Sequence, residues 1–512
     1  MSDYQTNDWT LTHRILLKLK KGVSTLKTWI EKVNKNREGK YTPTFISLCC
    51  AFLSTLLLII MLFIPPYLGM SDDGSFAREA NPLGIYHLDN DDEDLYFNYY
   101  VKEYLSLAPN TASEASISSQ RLIIYIAKSI DTFFTNDNLF DLRFLALLYG
   151  LLFMPTIALL VKQAVQRAKT FSESVVIGVL GVLIFADVSY VTYFSSFYSE
   201  PIMYICILLC VGAALALQDE KHNVVYLALY TISGIALTMS ENQCAVIGVL
   251  LGVLCVKFIF INRDLIWRLG CITCVILLFL SVMLSIYNIP TTYNQTSKYH
   301  AMTRGVLLQA TEPEETLKEF GIDRSYTVLT DTSSYDNYPL VDPDNKVLEK
   351  GFYDRYDAFE ISYYYLRHPK DMLAMLDISV KSALNFRGEY SGNYEKSAGM
   401  PKMAKSLFWS LWSSFKANSA PRTIGFVIVL IIATIILFRQ KSIKIPVKYK
   451  SRSSIPLETM LIIICIAFSQ AIITIVNSGD AELSQHLFLF SVVIDILIYF
   501  CFSEVLHRLN II

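Results

Sequence analysis

The sequence predicts an all-α polytopic membrane protein. Of its 512 residues, 53% are hydrophobic and 18% are charged. The mean hydropathy is +0.39, so the chain carries more apolar surface than a soluble core covers. A bilayer core is crossed by about 20 apolar residues, and ten runs of this kind occur. They lie at residues 44–65, 142–161, 173–194, 201–217, 224–240, 244–261, 267–287, 423–438, 457–476 and 486–503.

Basic residues set the expected orientation of these spans. Lys and Arg are concentrated before the first run, in residues 14–40, and after the eighth run, in residues 441–452. Because cytoplasmic loops carry an excess of Lys and Arg, both segments are expected in the cytoplasm. The even number of spans then places both termini there. A net charge of −2 gives no indication of a nucleic-acid partner. The lipid bilayer is the expected environment of the chain.

This topology divides the chain into four parts. Residues 1–43 form a basic cytoplasmic arm whose apolar residues have the spacing of an amphipathic helix on a membrane surface. Residues 44–287 form a transmembrane bundle with an outer loop at 66–141. Residues 288–420 form an extracytoplasmic domain, and residues 421–512 supply the C-terminal transmembrane helices. All ten cysteines lie in or beside apolar runs, which indicates packing rather than a disulfide framework.

The outer loop begins with two adjacent carboxylates, a few residues beyond the first span. Asp72 and Asp73 lie in the stretch Ser71–Arg78, where Gly74 and several turn formers indicate a tight, exposed backbone. His87 follows shortly afterwards. A solvated turn accounts for many Asp pairs of this kind. The functional alternative is a carboxylate presented to a substrate at the membrane surface.

Two later segments of the outer loop have amphipathic patterns. The aromatic and aliphatic residues of 96–105 repeat as one face of a helix, and those of 123–130 form a second such face. Both segments are too short and too charged to span a bilayer. Each is therefore expected to be a helix lying flat on the outer membrane surface, where it either guides a lipid tail or covers the bundle.

Ionisable residues also occur at the outer ends of later spans. Glu200, close to Tyr198, lies at the start of the fourth run, where a charge is costly unless it faces water or a partner. A helix-start carboxylate stabilised by the positive helix end is the alternative. Asp480, Glu482 and His486 lie in the short loop between the last two runs. A hydrogen-bonded interfacial residue is the alternative for His486.

The segment 288–420 contributes three further polar candidates, Arg304, Arg367 and His368. Pro369 is expected to end one helix and to start the next. The segment is aromatic and mixed in charge, as in a domain that handles polar ligands beside a bilayer. A generic juxtamembrane domain has the same composition.

In their order and topology, these motifs resemble the bacterial GT-C-type membrane glycosyltransferases that decorate cell-envelope glycans. The resemblance rests on Ser71–Arg78, Asp187–Glu200, 299–321, 365–369 and Gly479–His486. It covers most of the chain from about residue 44. It implies a GT-C-like fold in a bacterial cell membrane, a polyprenyl-phosphate sugar as donor, and an envelope glycan or teichoic-acid-like polymer as acceptor.

The same resemblance assigns the catalytic base. Family members use the first Asp of the outer loop, which here is Asp72, with Asp73 beside it. Ser75 stands where an acidic residue is expected, and Glu241 stands where a basic residue is expected after Ser240. Residues expected to contact the substrates are Arg78, His87, Tyr198, Glu200, Arg304, Arg367, His368, Asp480, Glu482 and His486.

The chemistry of glycosyl transfer suits these residue types. A sugar hydroxyl needs a carboxylate to take its proton as it attacks an anomeric carbon, and cationic side chains offset the charge that develops on the departing lipid phosphate. A single displacement inverts the anomeric centre. Asp72 and Asp73, with Glu200 or Asp480, also have the oxygen ligands that a divalent cation prefers. A transporter or flippase of lipid-linked saccharides, and a glycan polymerase or ligase, are the alternative functions.

Overall fold

The computed structural model describes most of the chain. The described residues are 28, 31–32, 34–35, 42–88, 96–109, 117–135, 137–218, 223–287, 293–334, 342, 345–384, 392–439, 452–481 and 483–509. The predicted amphipathic arm, residues 1–43, lies almost entirely outside them. Glu482, one of the predicted substrate contacts, also lies outside them.

Helices dominate the described residues, and each predicted apolar run coincides with one. In chain order the elements are α1 (Pro43–Phe63), α2 (Phe76–Ala80), β1 (Ile85–Tyr86), β2 (Glu103–Ser106), α3 (Ser119–Phe134), β3 (Leu139–Asp141), α4 (Leu142–Val165), α5 (Phe171–Phe185), α6 (Val188–Val191), α7 (Glu200–Ala216), α8 (Asn223–Thr238), α9 (Ala245–Phe258), α10 (Leu265–Tyr287), α11 (Tyr293–His300), a π-helical segment (Ala301–Val306), α12 (Leu307–Gln309), α13 (Pro313–Glu319), α14 (Lys346–Gly351), α15 (Ala358–Arg367), α16 (Pro369–Ala383), α17 (Leu411–Ser419), α18 (Ile424–Phe438), α19 (Ile455–Ser478), α20 (Leu483–His486) and α21 (Phe488–Leu509).

The lengths of the apolar helices divide them into three groups. Among the described residues, five helices (α1, α4, α10, α19 and α21) are long and apolar enough to cross a membrane. Helix α5 continues through a 45° bend into residues 188–194, and the bent pair is either a broken span or a re-entrant loop. Four others (α7, α8, α9 and α18) are apolar but have 17 residues or fewer. The prediction of a helical, multi-pass membrane protein is confirmed. Ten crossings with both termini in the cytoplasm remain a prediction.

Local sequence explains where the helices begin. The Thr42 side chain accepts a hydrogen bond from Phe45 N, and Pro43 occupies the first turn of α1, where its missing N–H costs nothing. Pro201 likewise occupies the first turn of α7, directly after Glu200, although its N-cap Ser199 makes no side-chain cap hydrogen bond. This agrees with the helix-start alternative for Glu200, since a carboxylate is stabilised by the positive end of a helix.

A small antiparallel sheet covers one end of the bundle. Its strand order is β1–β2–β3, with Ile85 opposite Ser106 and Tyr104 opposite Phe140. The helix predicted for residues 96–105 is therefore wrong: residues 103–106 form the central strand. Tyr100 and Tyr104 are both buried and lie four residues apart, as on one face of a helix. This spacing does not indicate a helix here, because pairing with strands on both sides determines the backbone. The second predicted surface helix, residues 123–130, is confirmed as part of α3.

A second hydrophobic core lies beside the bundle. It is built from residues between Tyr299 and Met375, and it packs onto Ile475 and Val476 near the end of α19. Its helices include α15 and α16, which meet at His368–Pro369. The helix break predicted at Pro369 is therefore confirmed.

Candidate functional site

The backbone around Asp72 is held from two sides. Phe97 N donates to Asp72 O at 2.7 Å, and Ser71 N donates to Gly392 O at 3.1 Å. Residues 96–100 of the outer loop and residues 392–394 thus flank the segment 68–72, called here the Asp72 loop. A Cβ on Gly392 would lie 2.1 Å from Asn98 O, so only glycine permits this close backbone approach. The two long segments between spans therefore meet at Asp72.

Both oxygens of the Asp72 carboxylate accept hydrogen bonds. Oδ1 accepts from Gly74 N at 2.7 Å and from Phe76 N at 3.2 Å, which fixes the turn into α2. Oδ2 lies 2.9 Å from His87 Nε2. The side chain is 1% exposed, compared with 19% for His87. Asp72 is therefore a buried carboxylate whose most accessible partner is an imidazole, and not a solvated turn residue.

Asp73 faces a different group of side chains. Its Oδ1 accepts from Ser75 N at 3.0 Å, and its charge acts on both Tyr198 and Glu200. The Tyr198 hydroxyl donates to Ser71 O at 3.0 Å. Burial, followed by the charge of Asp73, raises the pKa of Tyr198 well above its ordinary value. Tyr198 therefore stays a neutral hydrogen-bond donor beneath the Asp pair.

Glu200 is buried at the same end of the bundle. It is 4% exposed, and the like charges of Glu241 and Asp73 act on it together with the opposite charge of Arg78. Glu241 pairs with Ser199 Oγ and accepts from Gln243 Nε2 at 2.6 Å. These residues form an acidic cluster of Asp72, Asp73, Glu200 and Glu241. The charges of the first three act on Tyr198, and Glu241 pairs with Ser199.

The cationic side chains nearest to this cluster come from α2 and α3. Arg78 pairs with Glu79 at 3.3 Å, and its side chain is 54% exposed. Arg121 Nε donates to the other Glu79 oxygen at 3.0 Å, while a second guanidinium nitrogen donates to Arg78 O at 3.0 Å. Arg121 thus holds Glu79 and the backbone of α2, and the Arg78 guanidinium extends towards solvent.

Helix α3 connects this site to the apolar surface of the protein. On one face, Lys128 Nζ donates to Leu83 O and to Leu107 O, both at 2.6 Å. On the other face, Phe133 and Phe134 are 82% and 72% exposed. Such exposure is unusual for a soluble surface and typical of a helix that rests in a membrane interface.

Arg304 and Asp480 form a separate site. Arg304 Nε donates to Asp480 Oδ1 at 2.7 Å, and Nη2 donates to Oδ2 at 2.9 Å, which is the bidentate geometry that Arg prefers. Arg304 also pairs with Asp331. Two carboxylates therefore already neutralise the guanidinium. The pair joins the π-helical segment to the end of α19.

Asp480 lies beyond the level of the Glu241 loop along the direction of α19. Gln470 Nε2 donates to Gln243 O at 3.2 Å, which places Gln470 level with the Glu241 loop. Ser478 ends α19 eight residues later, about 12 Å along the axis at 1.5 Å per residue. No hydrogen bond or ion pair among the described residues joins Asp480 to Asp72 or Glu200.

Two of the three remaining predicted contacts lie on another surface. Arg367 lies over the Tyr363 ring at 5.7 Å. His368 lies 3.4 Å from Glu319 and stacks on Tyr364, so both residues belong to the exposed corner between α15 and α16. His486 ends α20. None of the three has a hydrogen bond with Asp72 among the interactions of the described residues.

The sequence leaves the use of a divalent cation open, and the part of the chain that the structure describes has no prepared site for one. No group of three or more His, Cys, Asp or Glu side chains there is arranged to hold a metal ion. Sequence reasoning also missed two groups. Arg121 and Lys128 are seven residues apart and share the polar face of α3. This spacing could have been recognised in the sequence. Lys416 and Asp495 form a buried ion pair, and Asp495 is an acidic residue inside an apolar run.

Comparison with known families gives one match. The family model described as YfdI N-terminal transmembrane domain matches residues 27–512, and this range contains every candidate site residue. No curated protein matches the chain.

Proposed function

The chain belongs to the YfdI N-terminal transmembrane domain family, and from this membership we propose that it is a membrane glycosyltransferase. The donor is a polyprenyl-phosphate hexose, and the acceptor is an envelope glycan or polymer on the outer face of a bacterial cell membrane. One observation supports the proposal most strongly: a buried carboxylate, Asp72, contacts a partly exposed imidazole, His87, in the loop that follows the first apolar helix.

The reaction is a single displacement. An acceptor hydroxyl oxygen forms a bond to the anomeric carbon, and the bond from that carbon to the lipid phosphate breaks, with its electron pair leaving on the phosphate. The configuration at the anomeric carbon is inverted. The hydroxyl proton must be removed as the new bond forms, since a free sugar hydroxyl is too weak an acid to ionise at neutral pH.

Asp72 Oδ2 is the oxygen suited to this proton. Oδ1 already accepts two backbone N–H groups, whereas the hydrogen bond of Oδ2 among the described residues is with His87. The hydrogen bond to His87 orients the carboxylate. After the transfer, His87 in the tautomer that carries its proton on Nδ1 accepts the Asp72 proton at Nε2 and releases the Nδ1 proton to solvent, which returns Asp72 to the carboxylate. Asp72 and His87 together therefore constitute the proton-accepting unit in this proposal.

Two other groups have roles in binding. Arg78 presents an exposed guanidinium close to the Asp pair and is placed to stabilise the negative charge of the lipid phosphate. Asp73 and Glu200, which lie near each other, are suited to accept hydrogen bonds from sugar hydroxyls. Helix α3 brings the exposed Phe133 and Phe134 to the same end of the bundle, where the lipid of the donor enters.

An assay in detergent solution tests the proposed class of function. The purified protein is mixed with a polyprenyl-phosphate hexose and an envelope-glycan acceptor, and glycosylated acceptor and released polyprenyl phosphate are measured. A transferase forms both products in equal amounts without a sealed membrane. A transporter or flippase forms neither, because a detergent micelle has no second compartment. Absence of both products with a panel of hexoses and acceptors would contradict the proposal.

A control variant in this assay guards against contaminating enzymes. Asp354 is exposed, in contrast to Asp72. Asp354→Asn should therefore behave as the unsubstituted protein does, and Asp72→Asn should lose both products together.

A further inference from the structure

A charged pair is buried inside the helical bundle, away from the Asp72 loop. Lys416 Nζ lies 2.9 Å from Asp495 Oδ1 and 2.7 Å from Ser491 Oγ. The two charged side chains are 2% and 0% exposed. The Tyr190 hydroxyl donates to the other oxygen of Asp495 at 2.5 Å. Ionisable side chains in a membrane bundle are costly and are usually retained for a specific purpose.

A second buried carboxylate holds the same helix. Asp187 Oδ2 accepts from Ser413 N at 3.0 Å, and its Oδ1 accepts from Ser189 N at 2.9 Å. Val188 N donates to Trp409 O at 3.1 Å. The charge of Asp187 also acts on Lys416. Helix α17 is thus attached to α6 near its start and to α21 through Lys416.

The chain that leads into α17 also flanks the catalytic candidate. This segment, residues 392–419, is called here the tether segment. Its first two residues hydrogen-bond to the Asp72 loop. Gly392 O accepts from Ser71 N, and Asn393 O accepts from Gly69 N, both at 3.1 Å. Asn393 Nδ2 donates to Gly69 O at 2.9 Å. One continuous segment therefore contacts the Asp72 loop at its start and the buried ion pair near its end.

We propose that Lys416 and Asp495 are positioning residues, whose ion pair fixes the tether segment in the bundle and thereby sets the backbone position of the Asp72 loop. Breaking a buried pair leaves one charge without a partner in a medium of low polarity. That charge draws water or moves towards the surface. Because Lys416 lies on the tether segment, its displacement loosens the hydrogen bonds at Gly392 and Asn393.

Hydrogen exchange of the full-length protein in lipid nanodiscs tests the proposal without reference to activity. Lys416→Met and Asp495→Asn should each speed exchange in residues 69–72 and 392–394 by at least about tenfold, because local opening is easier there. Exchange in α4 and α9 should stay as in the unsubstituted protein. The matched control is Lys381→Met, which breaks an exposed pair, Lys381–Asp377, on α16 and should change neither region.

Two further variants complete the test. The double variant Lys416→Met/Asp495→Asn should exceed either single variant by less than about threefold, because two residues that act as a pair are non-additive. Lys416→Arg keeps the charge and should retain the original exchange rates. Unchanged exchange at 69–72 in the single variants, equal loss of protection in all helices, or independent effects in the double variant would overturn the proposal. If neither single variant folds, a folded double variant with the original protection at 69–72 would overturn it as well.

Activity gives an additional readout that rests on the proposed function. The single variants should lower kcat for sugar transfer more than they change KM for the lipid donor, since the catalytic loop moves while the lipid-binding surfaces remain. If the unsubstituted protein transfers no sugar, the proposed function fails, and the exchange measurements still decide whether the ion pair positions the loop.

Discussion

His87 Nε2 lies 2.9 Å from Asp72 Oδ2, and the imidazole is the more exposed partner, at 19% against 1%. The pair lies where the first apolar helix gives way to the outer loop. A buried carboxylate with an imidazole towards solvent is an arrangement that accepts protons and returns them to water. This relationship is the basis of the account of catalysis.

Substitution of His87 should weaken transfer without abolishing it. His87→Ala removes the side-chain partner of Asp72 Oδ2, so we expect kcat to fall by about 10- to 100-fold, less than for loss of the carboxylate itself. His87→Gln retains an N–H donor and should lose less. Initial rates at saturating donor check the order of the three proteins. A rate for His87→Ala equal to that of the unsubstituted protein would remove His87 from the proton-accepting unit.

Arg304 should be important for stability and not for binding of the lipid phosphate. Its guanidinium holds Asp480 with two hydrogen bonds, so Arg304→Lys loses the bidentate geometry. We expect a lower melting temperature with KM for the donor changed less than about threefold, since the weakened contact is structural. Thermal unfolding and donor titration check both parts. A large rise in KM with unchanged stability would instead favour a direct contact with phosphate.

Helix α3 should insert its aromatic face into lipid. Phe133 is 82% exposed, so Phe133→Trp places a fluorophore on that face with little change in shape. Brominated lipids in nanodiscs should quench the added fluorescence strongly, because the helix rests among acyl chains. Val347→Trp is the control: this residue is 68% exposed on α14 beside the second core. Equal, weak quenching at both positions would contradict an interfacial α3.

Stability should depend on pH through Asp131. Burial, and then the neighbouring carboxylates, raise the pKa of Asp131 to about 6 from an ordinary value of 3.8. Between these two values the folded protein binds more protons at this group than the unfolded chain does. Its contribution to stability is therefore present at low pH and is lost as the pH rises through about 6.

The variant Asp131→Asn isolates this contribution. Melting temperatures measured from pH 4 to pH 7 should fall less steeply with rising pH in the variant than in the unsubstituted protein, because an amide does not ionise. Parallel curves for the two proteins would show that Asp131 has no part in the pH dependence.

Much of the fold could be predicted from the sequence because lipid imposes a simple rule on apolar runs. Each run had to become a helix, and Pro369 marked a helix start by its missing N–H. The strand at 103–106 could not be predicted in this way. Its partners, β1 and β3, are distant in sequence, and Tyr100 and Tyr104 are buried four residues apart as on a helix.

The candidate site could be predicted only in part, for a related reason. Asp72, Asp73, His87 and Arg78 lie within one short stretch of sequence, so local motifs identify them. The contact of the Asp72 loop with residues 392–394 depends on backbone and side-chain hydrogen bonds between residues more than three hundred positions apart, for which the sequence has no local signal. The pairing of Asp480 with Arg304 is likewise a contact between distant parts of the chain, without a local signal in the sequence.

The rate of sugar transfer by Asp72→Asn is the most direct test of the central claim. Asparagine keeps the shape of the side chain and can still accept the backbone hydrogen bonds of Gly74 and Phe76, but it cannot take a proton. With folding verified by the melting temperature, we predict a loss of at least about 100-fold in kcat. Transfer by Asp72→Asn at the rate of the unsubstituted protein would contradict the account.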